Sequence, residues 1–466
     1  MADARSMDVV AHTTTTEGQK PSPEVTHPQV PQVPLEIWEQ VFDRIAIGVN
    51  INALRRLEDP SHAALIYCAL VCKDWYYLTW FHFRRHVTLR DRMDVVWLSQ
   101  TLRQRPRLRE VVRLVKIQGT RSEPESGRGQ VQHLGTFAVM LAGRLPNLET
   151  IFIEHAEFTP GSVRMENITY LASFHSVTML AIGSTTFASI SQLARLVSVL
   201  LACRDIWWSR VDCAPMKYHP LTLLPFNHAN IYSLQMHPVE TLVMDISIRI
   251  SEACQLRYLY LTIDVKADES SAVSKIQALL NASAGSLASV WLHVNDDVCP
   301  TLPINEAAHA AVGKCSSDTY LEGEAADREL KAERHCNLSQ HTSLQWLAIV
   351  LDWHDASALS WVAPVLSFVT SEHVQQLIIR NRFRSIFPAV DVKATLTRLE
   401  NLVQLDEILQ HERFLNILPR RIRFEFRFAD APLKERKASL TRFREEHFAW
   451  FNELIRQKMP RSCQRD

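Results

Sequence analysis

Cys68 and Cys72 stand four residues apart, a spacing that places two thiols on one face of a helix and could offer them to a metal ion. A structural metal site needs two further ligands, and no second Cys or His pair stands close by. The pair therefore reads as two small buried residues of a helix, with no metal. Asp352-Trp353-His354-Asp355 holds residue types suited to acid–base or metal chemistry. It follows directly on the apolar run Leu344 to Leu351, so it reads as a strand-end turn. Arg103, Arg105, Arg107 and Arg109 alternate near Phe83 and Trp97, and such cations make phosphate contacts in nucleic-acid binders. Asp91 to Gln104, however, has Val95, Leu98 and Leu102 at helical spacing, which leaves the arginines on its solvated side and in the loop that follows. The sequence contains no Gly-x-Ser-x-Gly, no phosphate-binding Gly-rich loop, no His-Glu-x-x-His and no Gly-x-Gly-x-x-Gly. Twelve glycines in 466 residues leave little material for a phosphate cradle. No catalytic residue, cofactor or nucleic-acid partner follows from these residues.

The elements that would carry a site are more informative. Val33-Pro34-Leu35-Glu36-Ile37-Trp38-Glu39-Gln40-Val41-Phe42-Asp43-Arg44-Ile45 reads as a helix with Trp38, Val41, Phe42 and Ile45 on one stripe. Pro34 falls where a helix tolerates proline, at its first position. Cys68 to Trp80 reads as a second helix, with Val71, Trp75 and Leu78 on one face. A module of about fifty residues with this much apolar surface needs a partner to cover it. Ahead of it, residues 1–32 are rich in Thr, Pro and Gln and read as disordered. The stretch from Ala46 to Ser61 reads as a loop.

Val33-Pro34-Leu35-Glu36-Ile37 and Leu70-Val71-Cys72-Lys73-Asp74-Trp75 together resemble the two ends of the F-box. In that family the first helix carries Leu-Pro-x-Glu-(Ile/Leu) and the last Leu-Val-Cys-(Lys/Arg)-x-Trp. Val33 replaces the leading Leu, and the spacer is longer than in a compact F-box. The run from Trp75 through Phe81-His82-Phe83 to Leu89 is also similar to the way fungal, mushroom-type F-box proteins leave the motif. The resemblance covers residues 33–86. It implies docking onto the Skp-family adaptor of a cullin-based SCF ubiquitin ligase through Pro34, Ile37, Trp38, Val41, Phe42, Ile45, Leu70, Val71 and Trp75.

From residue 87 to 432 one pattern recurs: apolar residues at i, i+3 and i+5, then a helix-length segment. The examples are Val112/Val115/Ile117, Leu148/Ile151/Ile153, Val177/Leu180/Ile182, Leu256/Leu259/Leu261, Leu287/Val290/Leu292, Leu344/Leu347/Ile349 and Val374/Leu377/Ile379. Successive starts lie 36, 29, 79, 31, 57 and 30 residues apart. The longest gap is expected to hold Val239/Leu242/Met244 and a further unit near Trp207. This is a long, irregular form of the leucine-rich-repeat signature. Positions i+3 and i+5 share one face of a strand, and helices such as Ser191–Leu200 and Ala272–Leu280, the latter closed by Gly285, would cover it. The expected fold is α/β, a solenoid of parallel strands and outer helices rather than a doubly wound sheet. Residues 295–337 read as an acidic insertion loop, and residues 433–466 as a capping helix and tail.

Zero formal net charge gives no steering toward nucleic acid or membrane, and no apolar run is long enough to span a bilayer. Nine scattered cysteines and the lack of an apolar leader fit an intracellular protein of the cytoplasm or nucleus. The expected function is a substrate-recognition adaptor without chemistry of its own. An unknown protein substrate would meet the outward strand positions, with Tyr258, Tyr260 and Trp346 as anchors beside Thr150. The alternative is an α/β hydrolase or transferase whose strand-end loops carry an unrecognised site.

Overall fold

The computed structural model describes residues 33–47, 60–120, 128–214, 230–237, 241–264, 270–295, 336–353, 362–384, 401–415, 417, 421–429, 453, 456, 457 and 459. The N-terminal tail, nearly all of the acidic insertion and nearly all of the expected C-terminal helix lie outside them. The chain divides into two compact units, Met1–His82 and Phe83–Asp466.

The first unit contains α1 (Leu35–Ile47), α2 (Pro60–Ala69) and all but the last two residues of α3 (Lys73–Arg84). Pro34 stands one residue ahead of α1, its carbonyl accepting from the Ile37 N–H at 3.1 Å. Glu36 in the first turn and Arg44 in the last complement the helix dipole. The block read as a single second helix is two helices. Leu70, Val71 and Cys72 form the break between α2 and α3, so Val71 does not share a helix face with Trp75 and Leu78. Cys72 Sγ accepts from the Trp75 N–H at 3.5 Å, close to the start of α3. Cys72 is exposed and Cys68 half-buried, so the pair is not buried within one helix as expected.

In the second unit, thirteen strands among the described residues form one sheet. They are β1 (His86–Leu89), β2 (Leu114–Gln118), β3 (Gly129–Gln130), β4 (Thr150–Glu154), β5 (Ala156–Phe158), β6 (Met179–Phe187), β7 (Asp205–Cys213), β8 (Ser233–Met236), β9 (Tyr258–Asp264), β10 (Ser289–Asn295), β11 (Trp346–Trp353), β12 (Gln376–Arg384) and β13 (Ile422–Ala429). The spatial order is β1-β2-β4-β6-β7-β8-β9-β10-β11-β12-β13, with β3 and β5 extending the edge beside β6. Every strand pair is parallel, and the long strands follow chain order. The connecting helices are α4 (Arg92–Gln104), α5 (His133–Leu141), α6 (Met165–Thr169), α7 (Ile190–Val199), α8 (Thr241–Ala253), α9 (Ser270–Ser283), α10 (Val362–Ser367), α11 (Asn401–Leu409) and α12 (Glu412–Leu415). From α4 to α9 each helix touches the next, and α10 touches α11.

The core follows the i, i+3, i+5 pattern. All seven triplets read from the sequence are at most 2 % exposed. Burying each such side chain contributes about 1.5–3 kcal/mol relative to leaving it in water. The 79-residue gap holds two units, the one expected near Trp207 and another in place of Val239/Leu242/Met244. Cys203/Ile206/Trp208 precedes and fills β7, as the expected unit near Trp207 does, and Ile231/Leu234/Met236 leads into β8. Leu242 and Met244 belong to α8, whose buried Val243, Ile246, Ser247 and Ile250 recur at helical spacing. An i, i+3, i+5 triplet there falls by chance across a helix period.

Side chains tie successive units together. Ser176, Ser286 and Ser371 each donate to the carbonyl of the preceding unit's first core residue: Leu148 at 2.7 Å, Leu256 at 2.8 Å and Leu344 at 2.8 Å. Asp91 caps α4 by accepting from the Asp94 N–H, and Ser189 caps α7 by accepting from the Gln192 N–H. Gly285 is not in the left-handed region and does not close α9 as expected. There, Ser283 bonds back to the Leu279 and Leu280 carbonyls and its own carbonyl receives the Ser286 and Leu287 N–H groups.

Candidate functional site

Side chains alternate across a strand, so each residue between the core positions faces the other side of the sheet. Parallel pairing stacks these residues into rows. One row runs Lys116, Phe152, Ala181, Trp207, Gln235, Tyr260, Trp291 and Ala348. The row before it contains Thr150, Met179, Asp205, Ser233, Tyr258, Ser289 and Trp346. Thr262 and His293 lie one step further along β9 and β10, and His237 directly follows β8.

The rings on this face touch in sequence. Phe152 meets Trp207 at 5.7 Å between centroids, Trp207 meets His237 at 5.5 Å, and His237 meets Tyr260 at 5.1 Å. Tyr260 meets Trp291 at 6.2 Å, and Trp291 meets Trp346 at 5.7 Å. Tyr258 packs on Tyr232 at 4.8 Å. Such contacts contribute about 0.5–1.5 kcal/mol each beyond area burial, so the rings are held in place before anything binds. Tyr260 is further fixed by a 3.0 Å hydrogen bond between its hydroxyl and His293 Nδ1.

A cation covers a ring near each end of the ladder. Lys116 lies 5.5 Å from the Phe152 centroid and pairs with buried Glu154 at 2.6 Å. Arg380 lies 4.9 Å from the Trp291 centroid and pairs with Glu425 at 2.7 Å. Between them is a cavity of about 350 Å³, lined by Ser233, Gln235, Tyr258, Leu259, Tyr260, Ser289 and Trp291. Burial pushes the carboxyl of neighbouring Asp205 up, against the opposing effects of the Ser233 hydroxyl bonded to it and of Arg204. Ser289 is 3 % exposed, and its Oγ has no hydrogen-bond partner.

Tyr258, Tyr260 and Trp346 therefore stand on one face. Tyr258 is exposed, Tyr260 lines the cavity, and Trp346 flanks it through Trp291. Thr150, expected on the same open face, is buried at 8 % exposure. The sequence reading missed Trp207, His237 and Trp291. Trp207 and Trp291 fall at i+4 of their units, the position that singled out Tyr260; the Leu287 unit already gives Trp291, and the same rule gives Trp207 once the unit starting at Cys203 is recognised.

In the helical unit the nine positions expected to dock separate into two sets. Phe42 is fully buried, and Trp38 and Trp75 are half-buried with their rings 4.4 Å apart. Phe42 meets Trp75 edge-on at 5.3 Å. These three rings, with Leu65, form the unit's own core, and Ile45 is half-buried. Phe42, named among the docking positions, is thus turned into the core with Trp38 packed on it: a three-helix unit this small must spend its largest rings on itself. Pro34, Ile37, Val41, Leu70 and Val71 are exposed, Leu70 at 78 % and Val71 at 63 %. Val41, placed on the inner stripe by spacing, faces solvent next to Ile37.

Arg103, Arg105 and Arg107 are exposed, while Arg109 Nε donates to the Leu102 carbonyl at 3.1 Å. As expected, Val95, Leu98 and Leu102 are the buried side of α4. His354 and Asp355 lie outside the described residues, and Asp352 and Trp353 end β11. Among the described residues no group of His, Cys, Asp or Glu could hold a metal ion, and no helix is long and apolar enough to cross a membrane.

No family model and no curated protein matches the chain. Among solved structures, it is similar to a chain of an octameric complex of Latrophilin 3 (Lec, Olf), Unc5D (Ig, Ig2, TSP1) and FLRT2 (LRR). The identity is 9 % and the TM-score 0.23, over 70 % of this chain and 86 % of that one. A likeness so slight says nothing of what this chain binds.

Proposed function

We propose that the chain is an intracellular substrate-recognition adaptor of an SCF-type ubiquitin ligase. Its helical unit, read as an F-box, docks an Skp-family adaptor within a cullin complex. Its sheet unit, read as an irregular leucine-rich-repeat solenoid, holds a protein substrate on the face bearing Tyr258, Tyr260 and Trp346. The chain performs no chemistry; it raises the local concentration of the substrate near the transferred ubiquitin. One observation carries this reading. Pro34, Ile37, Val41, Leu70 and Val71, all at F-box motif positions, leave apolar surface in water on a unit that already has an aromatic core. Apolar side chains left out of such a core mark an interaction site.

The test is co-purification of the full chain with an Skp-family adaptor. Ile37→Asp with Val41→Asp, and separately Leu70→Asp with Val71→Asp, should each reduce recovery at least about tenfold, the loss expected when an interface anchor is replaced by a charge. Circular dichroism should show the helices intact. Undiminished recovery with both pairs changed would overturn the docking. On the substrate side, Tyr258, Tyr260 and Trp346 changed together to Ala should lower substrate capture and leave adaptor recovery as it was.

A further inference from the structure

We propose that the cavity between β8, β9 and β10 seats an uncharged, polar-tipped aromatic side chain, tyrosine or tryptophan, of the captured polypeptide. The proposal rests on the adaptor reading for the source of that side chain, and on the cavity alone for its chemistry.

Three observations point to this occupant. Among the described residues the lining is two tyrosines, a tryptophan, a leucine, two serines and a glutamine, with no Lys, Arg, His, Asp or Glu. A phosphorylated side chain would enter with about two negative charges and meet no cation among these residues. A lysine or arginine would meet rings without a carboxylate among them. The nearby acid, Asp205, is already engaged by Ser233, and the Trp291 ring already carries Arg380. A flat neutral ring suits Tyr258, Tyr260 and Trp291, whose positions the ladder of ring contacts fixes.

The polar tip is called for by Ser289. Its hydroxyl is almost wholly buried, lines the cavity and bonds to nothing. Leaving such a group unsatisfied costs about 1–3 kcal/mol, a cost that a ligand removes by bonding to it. Trp346, paired with Ser289 across β10 and β11, adds a second buried N–H without a partner in the same row. A serine hydroxyl can accept from an indole N–H and can either donate to or accept from a phenol. Phenylalanine offers neither.

The experiment titrates the full chain with blocked amino acids, followed by ligand-observed NMR. N-acetyl-tryptophanamide and N-acetyl-tyrosinamide should bind saturably with dissociation constants in the millimolar range. The phosphotyrosine and lysine analogues should not saturate. Ser289→Ala should weaken the tryptophan and tyrosine probes about fivefold, the worth of one hydrogen bond, and leave N-acetyl-phenylalaninamide unchanged. That Ser289→Ala leaves the fold intact is checked by a thermal midpoint that does not fall, since the hydroxyl it removes is buried and unpartnered. Equal or better binding of the phosphotyrosine or lysine probe overturns the proposal. So does a Ser289→Ala protein that binds all probes as before, or a native chain that saturates with none. Adaptor recovery is read separately and is expected to be untouched by Ser289→Ala, so the cavity and the docking can fail independently.

Discussion

His133 and His341 use the same device: a buried imidazole bonded to the end of a neighbouring element. His133 Nε2 meets the Leu89 carbonyl at 3.3 Å and His341 Nε2 meets the Leu280 carbonyl at 3.0 Å. Burial is the largest effect on each and holds both below the ordinary histidine value of 6.5, with the carbonyls opposing it. The sign follows from linkage. In the unfolded chain these rings take a proton as pH falls through 6.5, while in the folded chain they resist it. Stability is therefore full above that value and lost as pH drops below it, by at most about 1.4 kcal/mol per pH unit for each proton. His341 is the cleaner case, because only backbone carbonyls oppose its burial, whereas Asp91 and Asp94 also act on His133. Urea midpoints at pH 7.5 and 5.5 should differ less for His341→Gln than for the native chain. Equal losses in the two proteins would show that His341 does not titrate with unfolding.

Elements were legible where a single period controlled them. The triplets at i, i+3 and i+5 identified seven strands, because a strand buried on one side must repeat its apolar residues in step. The same rule failed where helix and strand periods overlap, at Leu242 and Met244, and where a unit opens with Cys203 instead of a larger apolar residue. It also gave no sign that α2 and α3 are separate, since the break at Leu70-Val71-Cys72 contains neither Gly nor Pro. Nor does apolar periodicity reveal a bend in a strand. Gly119, His155, Ser184 and Arg210 stand side by side on the sheet, and the last three have φ between 50° and 53°. The chain thus turns at the same level at His155, Ser184 and Arg210, and these ordinary residues tolerate there a conformation that costs about 1–2 kcal/mol. Gly119 is required for a different reason. A Cβ on it would fall 2.1 Å from the His155 carbonyl oxygen and 2.3 Å from that of Gly129, both backbone atoms that cannot swing aside. Gly119→Ala should cost about 1–3 kcal/mol or more by overpacking. A chemical melt showing no loss would mean that the strands open freely at this level.

At the scale of the whole molecule, chain-order parallel pairing makes the sheet unit close to one-dimensional. Each long strand rests on the strand before it and the strand after it, and the helices repeat the same adjacency. In such a stack stability is a sum of local terms and nearest-neighbour terms, so a defect should weaken its neighbours most and fade with distance along the row. The ladder of rings on the open face has the same dependence: Trp207, Tyr260 and Trp291 come from β7, β9 and β10 and His237 directly follows β8, and the cavity exists only while β8, β9 and β10 keep their register. Trp208 is the place to test it. It is fully buried in β7, on the core side, beneath the strands that bear the ladder. Trp208→Ala should cost about 3–5 kcal/mol through the cavity it leaves. Hydrogen exchange should then accelerate in β6, β7 and β8, less in β9 and β10, and least in β12 and β13. Binding of the tryptophan probe should weaken with it, because β8 forms one wall of the cavity. A uniform rise in exchange across the whole sheet would instead make the unit one cooperative block, with the ladder no more sensitive to β7 than to any other strand.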